Sequence, residues 1–145
     1  MRAILLATLL LTACTTAAGA PAPTPAANLP QHIREDLAQR DVALREPGVV
    51  AAAINETADL GAGLRVRPLE VLEDSRCPQN ARCVWAGRLR VRINVEGVGE
   101  REVILGEGVV ETPRGDFSMV AATPGPWTDW PEGAKPPYRF GFRRA

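Results

Sequence analysis

Eight residues in the middle of the chain alternate without a break: Arg88-Leu89-Arg90-Val91-Arg92-Ile93-Asn94-Val95. Successive side chains of a strand point to opposite faces, so Leu89, Val91, Ile93 and Val95 share one face and the three arginines and Asn94 the other. A helix would scatter the same apolar residues around its circumference. The segment predicts a half-buried strand whose Arg face is solvated and paired to Glu on neighbouring strands, rather than an anion or lipopolysaccharide site.

The same period recurs on both sides. Val49-Val50-Ala51-Ala52-Ala53-Ile54 is a short apolar run closed by Asn55-Glu56, and Leu64-Arg65-Val66-Arg67 alternates before Leu69-Glu70-Val71 resumes the pattern. Pro68 between them has no amide hydrogen, which calls for a sheet edge or a bulge. Glu102-Val103-Ile104-Leu105, Phe117-Ser118-Met119-Val120-Ala121 and Tyr138-Arg139-Phe140-Gly141-Phe142-Arg143 complete the set. Short strands divided by Gly and Pro predict an all-β fold, a small antiparallel β-sandwich or open barrel spanning residues 46–145. If Gly97-Val98-Gly99 is a three-residue hairpin loop, Ile93 opposes Val103, Val91 opposes Leu105 and Asn94 opposes Glu102. Hydrophobic residues make up 46% of the chain and aromatics 5%, so the core is built mainly from Val, Leu, Ile and Ala.

Upstream, Ile33, Leu37 and Leu44 fall at helical spacing, with Glu35 and Asp36 near the start and Arg40 and Arg45 near the end. They predict a short helix after Pro30 with a thin apolar stripe, peripheral to the β domain. Residues 15–27 carry no large apolar side chain and alternate Pro with small residues. Such a segment cannot offset the entropy of folding and is expected to extend at roughly 3 Å per residue as a tether.

The chain starts with one positive charge, Arg2, and an eleven-residue apolar run from Ala3 to Ala13. A bilayer span needs about 20 apolar residues, so this run reads as the core of a signal peptide that is later removed. Leu11-Thr12-Ala13-Cys14 resembles the lipobox of bacterial lipoproteins. The resemblance implies a signal peptide over 1–13, acylation of Cys14 and a lipid-anchored protein of the cell envelope. Thr15 in place of Asp implies sorting to the outer membrane, facing the periplasm. The domain order is then signal peptide 1–13, lipidated tether and short helix 14–45, and β domain 46–145. The alternative is an ordinary secretory signal cut near Ala20.

A second resemblance covers fifteen residues, Glu73-Asp74-Ser75-Arg76-Cys77-Pro78-Gln79-Asn80-Ala81-Arg82-Cys83-Val84-Trp85-Ala86-Gly87. The segment is similar to the E-D-S-R-C-P, then C-V-W-A-G signature of a group of small bacterial secreted proteins and lipoproteins. It implies location and fold, and no particular activity.

Cys77 and Cys83 are the thiols left once Cys14 is lipidated, and in an exported protein they are expected to form a disulfide. The bridge closes a short loop and contributes about 2 kcal/mol. A redox-active pair is the alternative, although the spacing is not C-x-x-C and only Arg76 and Arg82 could hold a thiolate. Zinc would want four N or S ligands, and the single His32 is remote in sequence, so no metal is expected. Trp85, two residues after Cys83, is expected to pack on the disulfide in the core.

The candidate binding residues are Asp74, Arg76, Trp127, Asp129 and Trp130. Asp74 and Arg76 flank the cysteine loop and suit a polar ligand, or else a turn amide and a neighbouring carboxylate. Trp127, Asp129 and Trp130 share a Pro-rich loop where ring faces and carboxylates suit a glycan, or where the rings close the end of the sandwich.

Charge and motif exclude other classes. Lys+Arg and Asp+Glu balance at 17 each, and no like-charge block offers the phosphate contacts that nucleic acid requires. With two serines, Ser75 and Ser118, one His, and neither a phosphate loop nor H-E-x-x-H, no cofactor and no catalytic residue are expected. The function expected is a binding or structural module displayed from the membrane, with an envelope protein or a glycan as partner. The alternatives are a peptidoglycan-binding module using the Trp loop and a hydrolase using a carboxylate pair, Glu73/Asp74 or Asp129/Glu132.

Overall fold

A computed structural model describes residues 28–145; the signal-peptide, Cys14 and tether expectations lie outside the described residues. From Asn28 the chain leads into helix α1 (Gln31–Leu44), whose first turn closes on the Pro30 carbonyl through the Arg34 amide. Seven strands follow: β1 (Val49–Ala53), β2 (Ala58–Asp59), β3 (Arg65–Asp74), β4 (Leu89–Val95), β5 (Gly99–Ile104), β6 (Phe117–Thr123) and β7 (Arg139–Arg144). All strand pairs are antiparallel and make two sheets, one ordered β1-β7-β6 and the other β2-β3-β4-β5.

The inner faces of both sheets enclose a single core. Val66, Leu89, Val91, Ile93 and Val95 come from the larger sheet, and Ala52, Phe117, Met119, Phe140 and Phe142 from the smaller. The alternation read in β4 holds residue by residue, because Leu89, Val91, Ile93 and Val95 are all buried. The Arg face is the solvated ladder expected of it. Arg88 pairs with Glu73 at 3.0 Å, Arg90 with Glu102 at 3.2 Å and Arg92 with Glu70 at 3.1 Å.

Pro68 sits fully buried at an irregularity in the β3–β4 pairing between Pro68 and Glu70, so the bulge is the alternative realised. The two-residue β2 is too short to leave an alternating signature.

The β4–β5 register corrects the expectation. Val103 opposes Val91, Arg101 opposes Ile93 and Glu100 opposes Asn94, so Glu102 faces Arg92. The turn is Glu96-Gly97-Val98, closed by the Val98 amide on the Val95 carbonyl, and Gly99 already belongs to the strand. Gly97, at φ +75°, takes the left-handed position that this turn requires.

Helix α1 forms a third layer on the outer face of the β1-β7-β6 sheet. Ile33 and Leu44 are buried there, outside the main cluster. Gly141 makes this contact close: a Cβ at Gly141 would meet Val49 at 2.7 Å and Ala121 and Leu44 at 3.1 Å. The thin stripe is enough because the sheet brings its own small residues up to the helix.

Candidate functional site

One end of the molecule gathers most of the chemistry. The β3–β4 connection, the β6–β7 connection and the start of α1 meet there, bringing together all three tryptophans, the disulfide, His32 and Lys135.

The β3–β4 hairpin continues past its named strands. The Ser75 amide donates to the Arg88 carbonyl and the Cys77 amide to the Ala86 carbonyl, both at 2.9 Å. Gly87 makes this neck possible. It lies at φ +66°, and a Cβ there would collide with the Ser75 carbonyl. Cys77 and Cys83 form the expected disulfide, with Cα atoms 5.8 Å apart.

Trp85 does not pack on that disulfide. It is 82% exposed and Val84 is 88% exposed, which overturns the expectation of a core indole. The two-stranded neck extends the tip beyond both sheets, and residues 81–88 are all exposed. Sandwich tryptophans pack on bridges that link the two sheets; this bridge only closes a loop.

The root of the tip is fixed to its neighbours. The Gln79 amide donates to the Pro126 carbonyl at 2.9 Å, and its side chain donates to Asp36 Oδ1 at 3.2 Å. Asn80 Nδ2 donates to Asp129 Oδ1 at 2.9 Å and to Thr128 Oγ1 at 2.8 Å. His32 Nε2 donates to the other Asp129 oxygen at 2.8 Å, and its ring lies 4.7 Å from that of Trp127. His32, remote from the cysteine loop in sequence, is thus one residue removed from it in space.

Asp36 is the hub of the same region. Its buried carboxylate accepts from Arg40 Nε at 2.8 Å, Trp127 Nε1 at 3.1 Å and Gln79. Gly125 passes directly over this carboxylate and Arg40. Trp127 and Trp130 are half-buried, so the loop rings close this end of the sandwich, and Trp127 gives its N–H to the helix.

Asp74 and Arg76 find each other. Arg76 Nε and Nη2 donate to the two Asp74 oxygens at 2.7 and 2.8 Å, and Nη2 also reaches the Pro124 carbonyl at 3.0 Å. Tyr138 donates its hydroxyl to Asp74 Oδ2 at 2.6 Å, while Lys135 donates to the Tyr138 oxygen at 3.2 Å. Burial opposes ionisation of Asp74, but the Arg76 and Tyr138 hydrogen bonds outweigh it and hold the carboxyl below its ordinary value. Burial first, and then the bond to Asp74, push the Tyr138 phenol up to about 12. On the outer side, Glu73 is held below its ordinary value by hydrogen bonds from Ser75 and Arg88.

Of the five candidate binding residues, two thus form one ion pair and three lie in the loop docked on α1. Sequence reasoning missed Asp36, Gln79, Tyr138 and the placement of His32. Only the i,i+4 spacing of Asp36 and Arg40 carried a signal, and that spacing is common on helices. Among the described residues no helix is long and apolar enough to cross a membrane. No family model, curated protein or solved structure matches the chain.

Proposed function

We propose that this chain is a cell-envelope lipoprotein whose β domain acts as a binding or structural module displayed from the membrane, without catalysis. The carrying observation is the tip itself: Val84 and Trp85 stand in solvent on a disulfide-closed, hydrogen-bonded hairpin, next to the start of α1. An exposed large apolar pair on a rigid support suits contact with something else. The polar groups nearby support a non-catalytic role, since Asp74, Asp129 and Ser75 are each engaged by protein partners. Glycan stacking across Trp127 and Trp130 has less ring face to use than Trp85 offers, because both loop rings are half-buried.

The anchor part of the reading rests on the resemblance of Leu11-Thr12-Ala13-Cys14 to a lipobox, and Thr15 in place of Asp supports the outer membrane, facing the periplasm. Metabolic labelling with an alkyne fatty acid tests it. Wild-type protein is expected to be labelled and to sediment with membranes, and Cys14→Ala to be unlabelled and released. An intact mass that begins near Ala18 or Gly19 and carries no lipid would overturn the anchor.

A further inference from the structure

We infer that the Val84-Trp85 tip inserts into the interface of the bilayer that carries the tether, so that the domain lies with this end against the membrane. The inference rests on the anchored reading above and adds an orientation and a second, reversible membrane contact. Four observations carry it.

The first is position. The described chain begins at Asn28 and reaches His32 at the start of α1, and His32, Asp129 and Asn80 form a run of hydrogen bonds into the cysteine loop. The tether therefore joins the domain beside the tip, which keeps the tip within reach of a membrane that holds Cys14. The thirteen residues between Cys14 and Asn28 reach at most about 50 Å. Anchoring at that range supplies an effective concentration of millimolar order, so a weak contact between tip and lipid is occupied.

Chemistry is the second. Tryptophan concentrates at the headgroup level of bilayers, where its apolar body and polar N–H are both accommodated, and a neighbouring Val adds apolar area. Third comes charge. The segment from Ser75 to Arg88 contains Arg76, Arg82 and Arg88 and no acid. Arg76 and Arg88 are paired with Asp74 and Glu73, while among the described residues no carboxylate lies within ion-pair distance of the exposed Arg82. An anionic headgroup complements that guanidinium.

The last observation is rigidity. The disulfide, the Cys77–Ala86 hydrogen bond and the Gln79 and Asn80 contacts hold the root, so presenting the pair costs little ordering on contact. A protein groove would also take an exposed indole, but the cation and the adjoining tether favour a lipid surface.

The test uses full-length protein with vesicles of phosphatidylethanolamine and phosphatidylglycerol, some containing brominated acyl chains. For the acylated protein, part of the tryptophan emission is expected to shift blue and be quenched by bromine, and Trp85→Ala is expected to remove that part without changing the melting temperature. Unacylated Cys14→Ala is expected to bind these vesicles weakly through the tip. Trp85→Ala should reduce that partitioning roughly tenfold, and Arg82→Glu should reduce it only when phosphatidylglycerol is present. Trp85 emission that stays water-like and open to aqueous iodide on vesicles would overturn the inference, as would crosslinking of the tip to an envelope protein in place of lipid. Failure of the anchor alone reads differently: no acyl label on Cys14, with the tip still binding vesicles.

Discussion

The indole nitrogen of Trp127 donates to the buried carboxylate of Asp36 at 3.1 Å across 91 residues of chain, and so ties the Pro-rich β6–β7 loop to the helix. Arg40 and Gln79 share the same carboxylate, which makes one side chain the junction of α1, the cysteine loop and the Trp loop.

Asp36→Ala leaves three donors without their acceptor and is expected to lower stability by about 2 to 3 kcal/mol, read by urea unfolding. Trp127→Ala should cost a similar amount, whereas exposed Trp85→Ala should stay within about 0.5 kcal/mol. Equal losses for Trp127 and Trp85 would contradict the assignment of one ring to packing and the other to solvent.

Gly87→Ala is expected to destabilise by about 2 kcal/mol or more, because a left-handed backbone and a collision with the Ser75 carbonyl act together. Gly133 has a similar φ, +69°, and open space around its missing Cβ, so Gly133→Ala should cost about 1 kcal/mol. Parallel thermal melts check the contrast; indistinguishable values would mean the neck opens freely.

Replacing Cys77 and Cys83 together by Ser is expected to lower stability by about 2 kcal/mol on the chain-entropy account of a short loop. The change should speed hydrogen exchange at the backbone amide of position 77, which donates to the Ala86 carbonyl, while leaving β4 and β7 protected. Loss of protection throughout the sheets would show that the bridge supports the whole fold.

Tyr138 is the sole tyrosine, so the phenolate absorbance of the folded protein titrates this one group. Its midpoint is expected at about 12, and a midpoint near the ordinary value would refute the burial and the Asp74 bond. The sign of the linkage follows. A phenol whose folded pKa is raised contributes stability below its unfolded pKa of about 10 and loses it as pH climbs through the folded value. Asp74 acts at the other end. Its lowered pKa contributes above the ordinary carboxylate range, and the contribution disappears as pH falls through the folded value. Tyr138→Phe is expected to remove the alkaline loss and to raise the Asp74 pKa, measured by carboxyl NMR titration.

Much of the architecture was legible in the sequence, because its signals are local. The period of β4 states which face is buried without reference to any partner, and six of the seven strands carried a pattern long enough to read. Pro68 announced an irregularity by lacking an amide hydrogen. The register of β5 escaped for a definite reason. A slip of two residues keeps every side chain on its own face, so alternation cannot tell Val91 opposite Val103 from Val91 opposite Leu105. The turn decides, and both Gly97 and Gly99 were able to serve it.

The candidate site was less legible, since Asp36, Gln79, Tyr138 and His32 take their meaning from partners far along the chain. Taken alone, the sequence determined the β-rich class and the buried faces, both consequences of residue period, and it pointed to the pairing of Cys77 with Cys83 as the two thiols left in an exported chain once Cys14 is lipidated. Tertiary structure decided that Trp85 points to solvent, that Trp127 turns inward to Asp36 and that His32 meets Asp129. An indole carries the same hydrophobicity in either setting. Whether it is covered depends on where two loops and a helix converge, and that convergence is settled by the packing of the whole sheet pair rather than by any local run of residues.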